Sequence, residues 1–257
     1  MSFSLILSGN SSDFTTVFNS IVLQPPYEYE AALLSIDTYN SIPNIIEGKN
    51  NLFKYFNGQD WKVISLQTGA YELDAINNEI KRQMRINGDN ADIITISAEI
   101  STLRSIINIL SAAAVQALGT GGAAAAAVQA EYKVAFEAGS IASFLGFPGG
   151  VLETGYNLSP NIVDIMPINT ILVNLDIIQG SYVNGQASPA IYAFYPNASP
   201  GYKIIERPSP SLTYFLLSRH DISRIRVWLT DQDGNMVDFR GERITIRIHI
   251  RRHKPRI

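Results

Sequence analysis

An acidic pattern near the C-terminus has the spacing of a calcium-binding loop. Asp231, Asp233, Asn235 and Glu242 stand where an EF-hand loop places oxygen ligands, at its first, third, fifth and twelfth positions. The sixth position of such a loop needs a glycine for its sharp bend, and here it is Met236. The pattern therefore favours a hairpin turn, "DQDGN", without a metal, because Asp, Gly and Asn supply the backbone angles of a tight reversal.

The segments on both sides of this turn alternate like strands, whereas an EF-hand needs helices there. The first is "ISRIRVWL" and the second is "ERITIRIHI". In the second, every other residue is isoleucine, at positions 244, 246, 248 and 250, and the residues between them are polar. This period predicts a strand whose isoleucines lie against an opposite sheet while its arginines face away.

No other constellation with the spacing of a catalytic or metal site is found. The chain has no cysteine, and its three histidines, His220, His249 and His253, do not have a zinc-ligand spacing. There is no GxSxG motif, and "LGFPGG" and "GTGG" lack the lysine of a phosphate-binding loop. Asp164 and Asp176 lie in hydrophobic runs, which indicates strand edges or buried hydrogen bonds. We therefore expect no catalytic residue, no metal and no cofactor, and hence not an enzyme.

The charged residues are unevenly distributed along the chain. Of the 257 residues, 46% are hydrophobic and 17% charged, and the net charge is −3. From Arg219 onward there are ten Lys and Arg against five Asp and Glu, so a cationic end follows an anionic remainder, which suggests surfaces for different partners. The N-terminus lacks the basic residues of a signal peptide, so an intracellular origin is expected.

Most of the chain consists of short alternating runs separated by turns rich in Asn, Gly and Pro, which indicates a β-sandwich or barrel. The strand candidates are "FSLILSG", "YEYEAALLSIDTYNSI", "NLFKYF", "WKVISL", "ADIITISAEI", "LRSIINI", "NTILVNLDII", "AIYAFYP", "LTYFLL", "SRIRVWL" and "RITIRIHI". One amphipathic helix is predicted in "GAYELDAINNEIKRQMRI", with Leu73, Ile76, Ile80 and Met84 on one face and Gly88 after its end. We expect it to close one end of the sandwich, with a partner-binding helix as the alternative.

One low-complexity segment, the Ala-rich insertion at about residues 111–130, contains no charged residue. Stable membrane insertion is not expected, because alanine contributes little transfer free energy and "GTGG" would break a spanning helix. The insertion is predicted to join two paired strands, "TLRSIINI" and "YKVAFEA", and to be dispensable for folding. Membrane disruption or packing against a neighbouring subunit is the functional alternative.

Several segments together resemble the minor capsid, or penton, proteins encoded by Polinton (Maverick) elements and by related adintoviruses and virophages, including copies in invertebrate genomes. The similarity runs from about Tyr27 to Arg252 and is densest in "SFLGF", "GSYVNG" and "DQDGNMVDFRGE". The Ala-rich insertion departs from the family pattern.

This resemblance implies an all-β chain that forms one jelly-roll capsid domain over residues 1–257, with eight strands in two sheets. An N-terminal arm (about 1–25) and a basic C-terminal tail (251–257) would flank it. The implied function is a virion protein whose homopentamers occupy the fivefold vertices of an icosahedral capsid. Its partners would be other copies of itself, a double jelly-roll major capsid protein and packaged DNA, with assembly in host cytoplasm or nucleus.

Two other functions remain open at this stage. One is a receptor- or carbohydrate-binding β-sandwich that uses the aromatic residues of "GSYVNG" and "IYAFYP", although strand packing explains those tyrosines equally well. The other is a nucleic-acid binder. In both the capsid and the nucleic-acid hypotheses, the residues predicted to contact a partner or genome are the cations Arg247, Arg251, Arg252, Lys254 and Arg256.

Overall fold

The computed structural model describes residues 2–117, 131–208 and 211–253. The chain divides into two compact units: Met1–Ile42 with Ile168–Ile257 form the first, and Pro43–Pro167 form the second. This differs from the single domain expected from the sequence.

The elements in chain order are β1 (Ser2–Gly9), β2 (Asp13–Val22), β3 (Tyr29–Tyr39), β4 (Leu52–Phe56), β5 (Trp61–Ser65), α1 (Leu73–Ile86), β6 (Ile94–Glu99), β7 (Arg104–Ile109), α2 (Ala112–Ala117), β8 (Lys133–Phe136), β9 (Gly150–Leu152), β10 (Gly155–Leu158), β11 (Ile171–Leu175), β12 (Ser181–Val183), β13 (Gln186–Ser188), β14 (Ala190–Phe194), β15 (Lys203–Glu206), β16 (Phe215–Leu216), β17 (Asp221–Thr230) and β18 (Ile244–Arg252).

The first unit is a sandwich of two antiparallel sheets. One sheet has the order β1-β18-β3-β15, with the short β16 also on β3, and the other has the order β14-β11-β17-β2. If the eight main strands are counted along the chain, these orders are first-eighth-third-sixth and fifth-fourth-seventh-second. That interleaving is the strand order of a jelly roll. The all-β class and the jelly roll expected from the sequence are thus confirmed by the topology itself.

The core of this unit lies between the two sheets, and β18 shows why. Ile244, Ile246, Ile248 and Ile250 all have no exposed surface and belong to one cluster with residues of the opposite sheet, such as Val227. Because β18 pairs with β1 on one side and β3 on the other, it is a central strand. The predicted alternation of buried isoleucines and outward polar residues is therefore confirmed.

The "DQDGN" turn is tight, but it does not join β17 to β18 in a hairpin. Asp231 N–H donates to Asn235 O at 2.8 Å, and Thr230 and Met236 form an isolated antiparallel bridge. Gly234 has a φ of 85°, the left-handed conformation that glycine adopts without strain. Since β17 and β18 belong to different sheets, the chain crosses from one sheet to the other after this turn.

Residues predicted as an N-terminal arm form two strands of the jelly roll instead. Strand β1 pairs with β18 along its whole length, and β2 pairs with β17 with one register shift. The side chains that point inward from both strands pack on the core, which an arm would not do.

The second unit has its own core, built from two small sheets and a helix. The sheets have the orders β10-β7-β6 and β5-β4-β8-β9. Helix α1 begins at Leu73, four residues after the start of the predicted segment, ends at Ile86 as predicted, and buries Leu73, Ile76, Ile80 and Met84, as expected. It packs against β6 in the core of this unit, whereas the sequence predicted that it closes one end of the sandwich.

The strands on either side of the Ala-rich insertion do not pair with each other. Strand β7 lies between β6 and β10, and β8 lies between β4 and β9, so each already has two neighbours. Val115, on α2, is 1% exposed and belongs to the core of the unit. The first part of the insertion is therefore structural, and a two-residue turn could not replace it. Residues 118–130 lie outside the described part of the chain.

Candidate partner-binding surfaces

Two of the cations predicted to contact a partner, Arg247 and Arg251, lie on the outer face of β18. Arg247 is opposite Ile6 on β1 and Ser35 on β3. Arg251 lies on the same face of β18, two residues beyond His249. Arg252 follows at the end of the strand. Lys254 and Arg256, also predicted, lie outside the described residues.

Arg251 forms an ion pair within the chain. Its Nε donates to Glu30 Oε1 at 2.7 Å, and His253 Nδ1 lies 2.8 Å from Glu30 Oε2. The Glu30 side chain is only 9% exposed, while that of Arg251 is 46% exposed. Burial alone would raise the pKa of Glu30, but the hydrogen bonds from His253 and Arg251 outweigh it and lower the pKa below its ordinary value. The carboxylate is therefore held charged by the two basic side chains.

Aromatic rings cover the same cations. The Arg251 guanidinium lies 3.5 Å from the ring centroid of Tyr214, and that of Arg252 lies 3.1 Å from the centroid of Tyr27. The Tyr214 hydroxyl is 2.7 Å from His249 Nδ1. Two of the predicted contact residues thus already bind partners inside the molecule.

Arg247 differs from its neighbours. It is exposed, and within the described ranges it makes no ion pair. The sequence pattern therefore located the outward face of β18 but not the partners that occupy part of it. Glu30 lies 221 residues from Arg251, and no local signal links the two.

The jelly roll has two open sides, each formed by one edge strand of each sheet. On the first, which we call the β1–β2 side, no strand of the described residues pairs with the free edge of β1 or β2. Three aliphatic side chains there are highly exposed: Ile6 (63%), Val17 (77%) and Val22 (62%). Five inward-pointing side chains on these strands are also only partly buried, namely Phe3, Leu5, Phe14, Phe18 and Ile21.

The opposite side, which we call the β14–β15 side, is formed by the other two edge strands. The Tyr192 hydroxyl on β14 donates to Glu206 Oε1 on β15 at 2.8 Å and so joins the two sheets at this edge. Burial and this hydrogen bond raise the pKa of Tyr192 to about 12. Nearby Tyr195 (69%), Tyr202 (69%) and Ile205 (48%) are exposed.

Some of the aromatic residues predicted for the carbohydrate-binding alternative pack on the core, and others are exposed. In "IYAFYP", Tyr192 and Phe194 pack on the core, whereas Tyr195 is exposed. In "GSYVNG", Tyr182 is 72% exposed on the small β12–β13 hairpin. Strand periodicity thus explains some of these side chains but not Tyr182 and Tyr195.

Asp231 of the acidic turn accepts hydrogen bonds from backbone N–H groups. Asp231 Oδ1 accepts the N–H groups of Asp233 at 2.9 Å and Asn235 at 2.8 Å. Asp176, for which the sequence predicted a strand edge or a buried hydrogen bond, accepts the N–H of Arg226 and one hydrogen bond from the Arg219 guanidinium. Over the residues that the structure describes, no group of three or more His, Asp or Glu side chains is placed to hold a metal ion.

The second unit contains an open depression of about 650 Å³. It is bordered by Lys49, Glu137 and the loop that runs through "LGFPGG" from β8 to β9. Because both elements joined by this loop are strands, it lacks the helix N-terminus of a phosphate-binding loop. In the described ranges, no helix is long and apolar enough to cross a membrane.

The strand order defines a single jelly roll. No protein-family model and no curated protein matches the chain. Among solved structures, the chain is similar to a crystal structure of the selenomethionine-labelled mavirus penton protein, with a TM-score of 0.48 and 11% sequence identity. The match covers 98% of this chain and 100% of that one.

Proposed function

We propose that the chain is a structural subunit of a viral capsid. The observation that carries this proposal is a jelly roll whose two sides both present uncovered apolar side chains, most of all along β1 and β2. Apolar side chains left uncovered along the edges of a sandwich are suited to burial against a neighbouring protein. A shell subunit needs such surfaces on its flanks, because it has neighbours on both sides.

The more specific proposal follows the resemblance to Polinton and virophage minor capsid proteins. The chain forms homopentamers at the fivefold vertices of an icosahedral capsid, where it adjoins a double jelly-roll major capsid protein. It resides in the virion after assembly in host cytoplasm or nucleus, and it acts by adhesion instead of catalysis.

The cationic end of β18 is proposed as a further contact with packaged DNA or an acidic partner. Arg247 is exposed and available for this contact, and we propose that Lys254 and Arg256 of the tail take part in it. Arg251 and Arg252 contribute less charge to such a partner, because Glu30 and the rings of Tyr214 and Tyr27 already engage them. This engagement gives a nucleic-acid binder less support as the primary function.

A receptor- or carbohydrate-binding module is the second candidate. The exposure of Tyr182 and Tyr195 favours it, since exposed aromatic rings are frequent at binding surfaces. Substituting both with serine would abolish binding to a receptor or glycan if this were the function, while capsid incorporation would be unaffected.

The test is electron cryomicroscopy of particles from cells that express the chain with the major capsid protein of the same element. We expect density for the jelly roll at the fivefold vertices, and vertices without that density in particles made without the chain. Full particles that exclude the chain, together with glycan or receptor binding that depends on Tyr182 and Tyr195, would replace the capsid proposal with the second candidate.

A further inference from the structure

We propose that the second unit carries a saccharide-binding site on the outer face of the sheet β5-β4-β8-β9, centred on Trp61. The ligand class is a neutral oligosaccharide whose sugar rings present a flat face of C–H groups, such as an oligomer of N-acetylglucosamine or glucose. This inference goes beyond the capsid proposal and does not depend on it. It also differs from the second candidate function, whose exposed tyrosines lie in the first unit.

An aromatic platform lies at one end of this outer face. Strand register places Phe56 of β4 opposite Trp61 of β5, with Lys133 of β8 on the other side of Phe56. The rings of Phe56 and Trp61 pack with their centroids 5.4 Å apart, which supports the indole from one side. Trp61 still keeps 42% of its surface exposed. Because the face of an aromatic ring is electron-rich, it attracts the weakly positive C–H groups of a sugar ring.

The next row of residues continues the platform across the sheet. Val63, Lys54, Ala135 and Val151 lie side by side on the four strands. Val63 and Val151 are 54% and 53% exposed, although both are aliphatic. The outer face therefore presents an elongated strip of apolar surface that begins at Trp61, and we call it the Trp61 strip.

Two ion pairs supply hydrogen-bonding groups along the Trp61 strip. Lys54 Nζ lies 2.6 Å from Glu137 Oε1 and 5.3 Å from the centroid of the Trp61 ring. Lys133 Nζ lies 2.9 Å from Glu153 Oε2. The side chains of the two glutamates are 65% and 64% exposed, so their oxygens can also accept hydrogen bonds from the hydroxyls of a ligand. Because each pair already orients its members, little side-chain freedom is lost when a ligand binds.

The Trp61 strip leads into the open depression of about 650 Å³. Glu137 belongs to both, because it forms the first of these ion pairs and also borders the depression. Ser140, Ser143 and the glycine backbone at residues 149–150 line the depression as well. Small-molecule sites combine apolar surface with a few polar groups that fix the orientation of the ligand. An oligosaccharide stacked on Trp61 and directed towards Glu137 would place its next sugar units in the depression.

A neutral saccharide suits this surface better than other classes of ligand. The two ion pairs contribute two positive and two negative charges, so together they offer no net charge to a nucleic acid. Charged residues are depleted in the centres of protein–protein interfaces, which disfavours a protein partner that would bury both pairs. Sugar hydroxyls, in contrast, can replace the water molecules that hydrate these side chains.

Tryptophan fluorescence of the full chain tests the site, with chitohexaose and cellohexaose as probes. The sequence contains two tryptophans, Trp61 and Trp228, so the variant Trp228→Phe leaves Trp61 as the single emitter. We expect at least one probe to change the Trp61 emission with a saturable dependence on concentration, because a stacked sugar removes water from the indole face. No saturable change with either probe, or a response only to an anionic heparin hexasaccharide, would overturn the proposal.

Variants with the native Trp228 locate the site by calorimetric titration. Trp61→Ala should weaken binding of the saccharide at least about tenfold, whereas Trp61→Phe should keep most of it, because an aromatic face remains. Tyr156→Ala is the matched control, since Tyr156 is an aromatic residue of the same unit with 64% exposure, and it should leave binding unchanged. Equal losses in Trp61→Ala and Tyr156→Ala would contradict a site on the Trp61 strip. Binding that is lost only when Tyr182 and Tyr195 are replaced would contradict it as well.

A further variant tests the depression separately from the indole ring. Ser143 is exposed at the border of the depression, so Ser143→Trp should narrow it without altering the core. We expect this variant to bind the hexasaccharide at least about threefold more weakly than the parent, and an unchanged affinity would show that no sugar unit enters the depression.

Two remaining outcomes separate this proposal from its alternatives. If no saccharide binds and Trp61→Ala changes the native mass of the chain in light scattering, the Trp61 strip is a protein contact and the proposal is wrong. Vertex density in capsid particles is observed independently of saccharide binding, so failure here would leave the capsid proposal standing.

Discussion

Arg251 on the last strand and Glu30 at the start of β3 form an ion pair in which Arg251 Nε lies 2.7 Å from Glu30 Oε1, although 221 residues separate them. Glu30 also binds His253, so one nearly buried carboxylate fastens the end of β18 to the neighbouring strand. The pair assigns a structural role to a residue that the sequence placed only in a partner contact.

Replacing Glu30 with glutamine should reduce stability in a pH-dependent way. We expect Glu30→Gln to lower the free energy of unfolding by roughly 1–2 kcal/mol at neutral pH, because it removes a charged partner of Arg251 and His253. The pKa of Glu30 is lowered in the folded state, so its contribution is complete above the ordinary carboxyl pKa of 4.5 and is lost as the pH falls through the lower folded value.

Urea unfolding at a series of pH values measures this effect. The difference between parent and Glu30→Gln should shrink as the pH falls below 4.5. Glu28→Gln is the control, since Glu28 is exposed two residues away. An equal loss in both variants, or a difference that does not depend on pH, would contradict the role of the ion pair.

Neutralising the predicted contact cations other than Arg251 should separate folding from binding. Changing Arg247, Arg252, Lys254 and Arg256 to glutamine should cost less than about 1 kcal/mol of stability, because the cation–π contact of Arg252 is the only described interaction among them. Adding Arg251→Gln should destabilise the protein further. Binding to capsid or DNA should fall in the first variant, and residual binding should depend less on salt. Parent binding that is independent of salt would contradict a charge-based contact.

The inward and outward faces of the jelly-roll strands should differ sharply in their tolerance of alanine. Ile248→Ala should cost roughly 2–5 kcal/mol, because Ile248 has no exposed surface in the core. Ile6→Ala should change the free energy of unfolding of the dissociated protein by less than about 0.5 kcal/mol, because Ile6 is 63% exposed. Denaturant unfolding at low protein concentration compares the two. Similar losses would mean that the sandwich packing is wrongly described.

Two glycines with the same backbone conformation provide a test of the second unit. Gly146 and Gly48 both have a φ of 77°, but a Cβ on Gly146 would lie 2.4 Å from Asn161 O, whereas a Cβ on Gly48 would meet nothing within 4 Å. Gly48→Ala should cost about 1–2 kcal/mol, the strain of the left-handed conformation. Gly146→Ala should cost clearly more, as thermal or urea unfolding would show. Equal costs would mean that the loop is not packed against Asn161 as described.

The sequence was informative where a segment's own period determines its environment. The isoleucines of β18 and the apolar stripe of α1 were predicted residue by residue, because burial on one face leaves a period of two or 3.6 in the chain. The turn at Asp231 was equally local. The jelly roll itself came from the resemblance, and the strand order confirms it.

Features that depend on contacts between distant parts of the chain could not be predicted from local patterns. The sequence predicts that strands β4 to β7 belong to one sandwich with the others, whereas they lie in the second unit. Strands β2 and β15 are not among the strands predicted from the sequence. Strand β15 has only four residues, and the inward side chains of β2 are partly exposed, so neither has a strong buried period. Pairing across the chain also determined that β7 and β8 are not neighbours.

The native mass of the purified chain, measured by light scattering across a dilution series, tests the central claim most directly. We expect a species with five times the chain mass of 28.3 kDa, as a homopentamer at a fivefold vertex requires. A chain that remains at 28.3 kDa at every concentration would contradict the pentameric capsid subunit and favour an independent binding module.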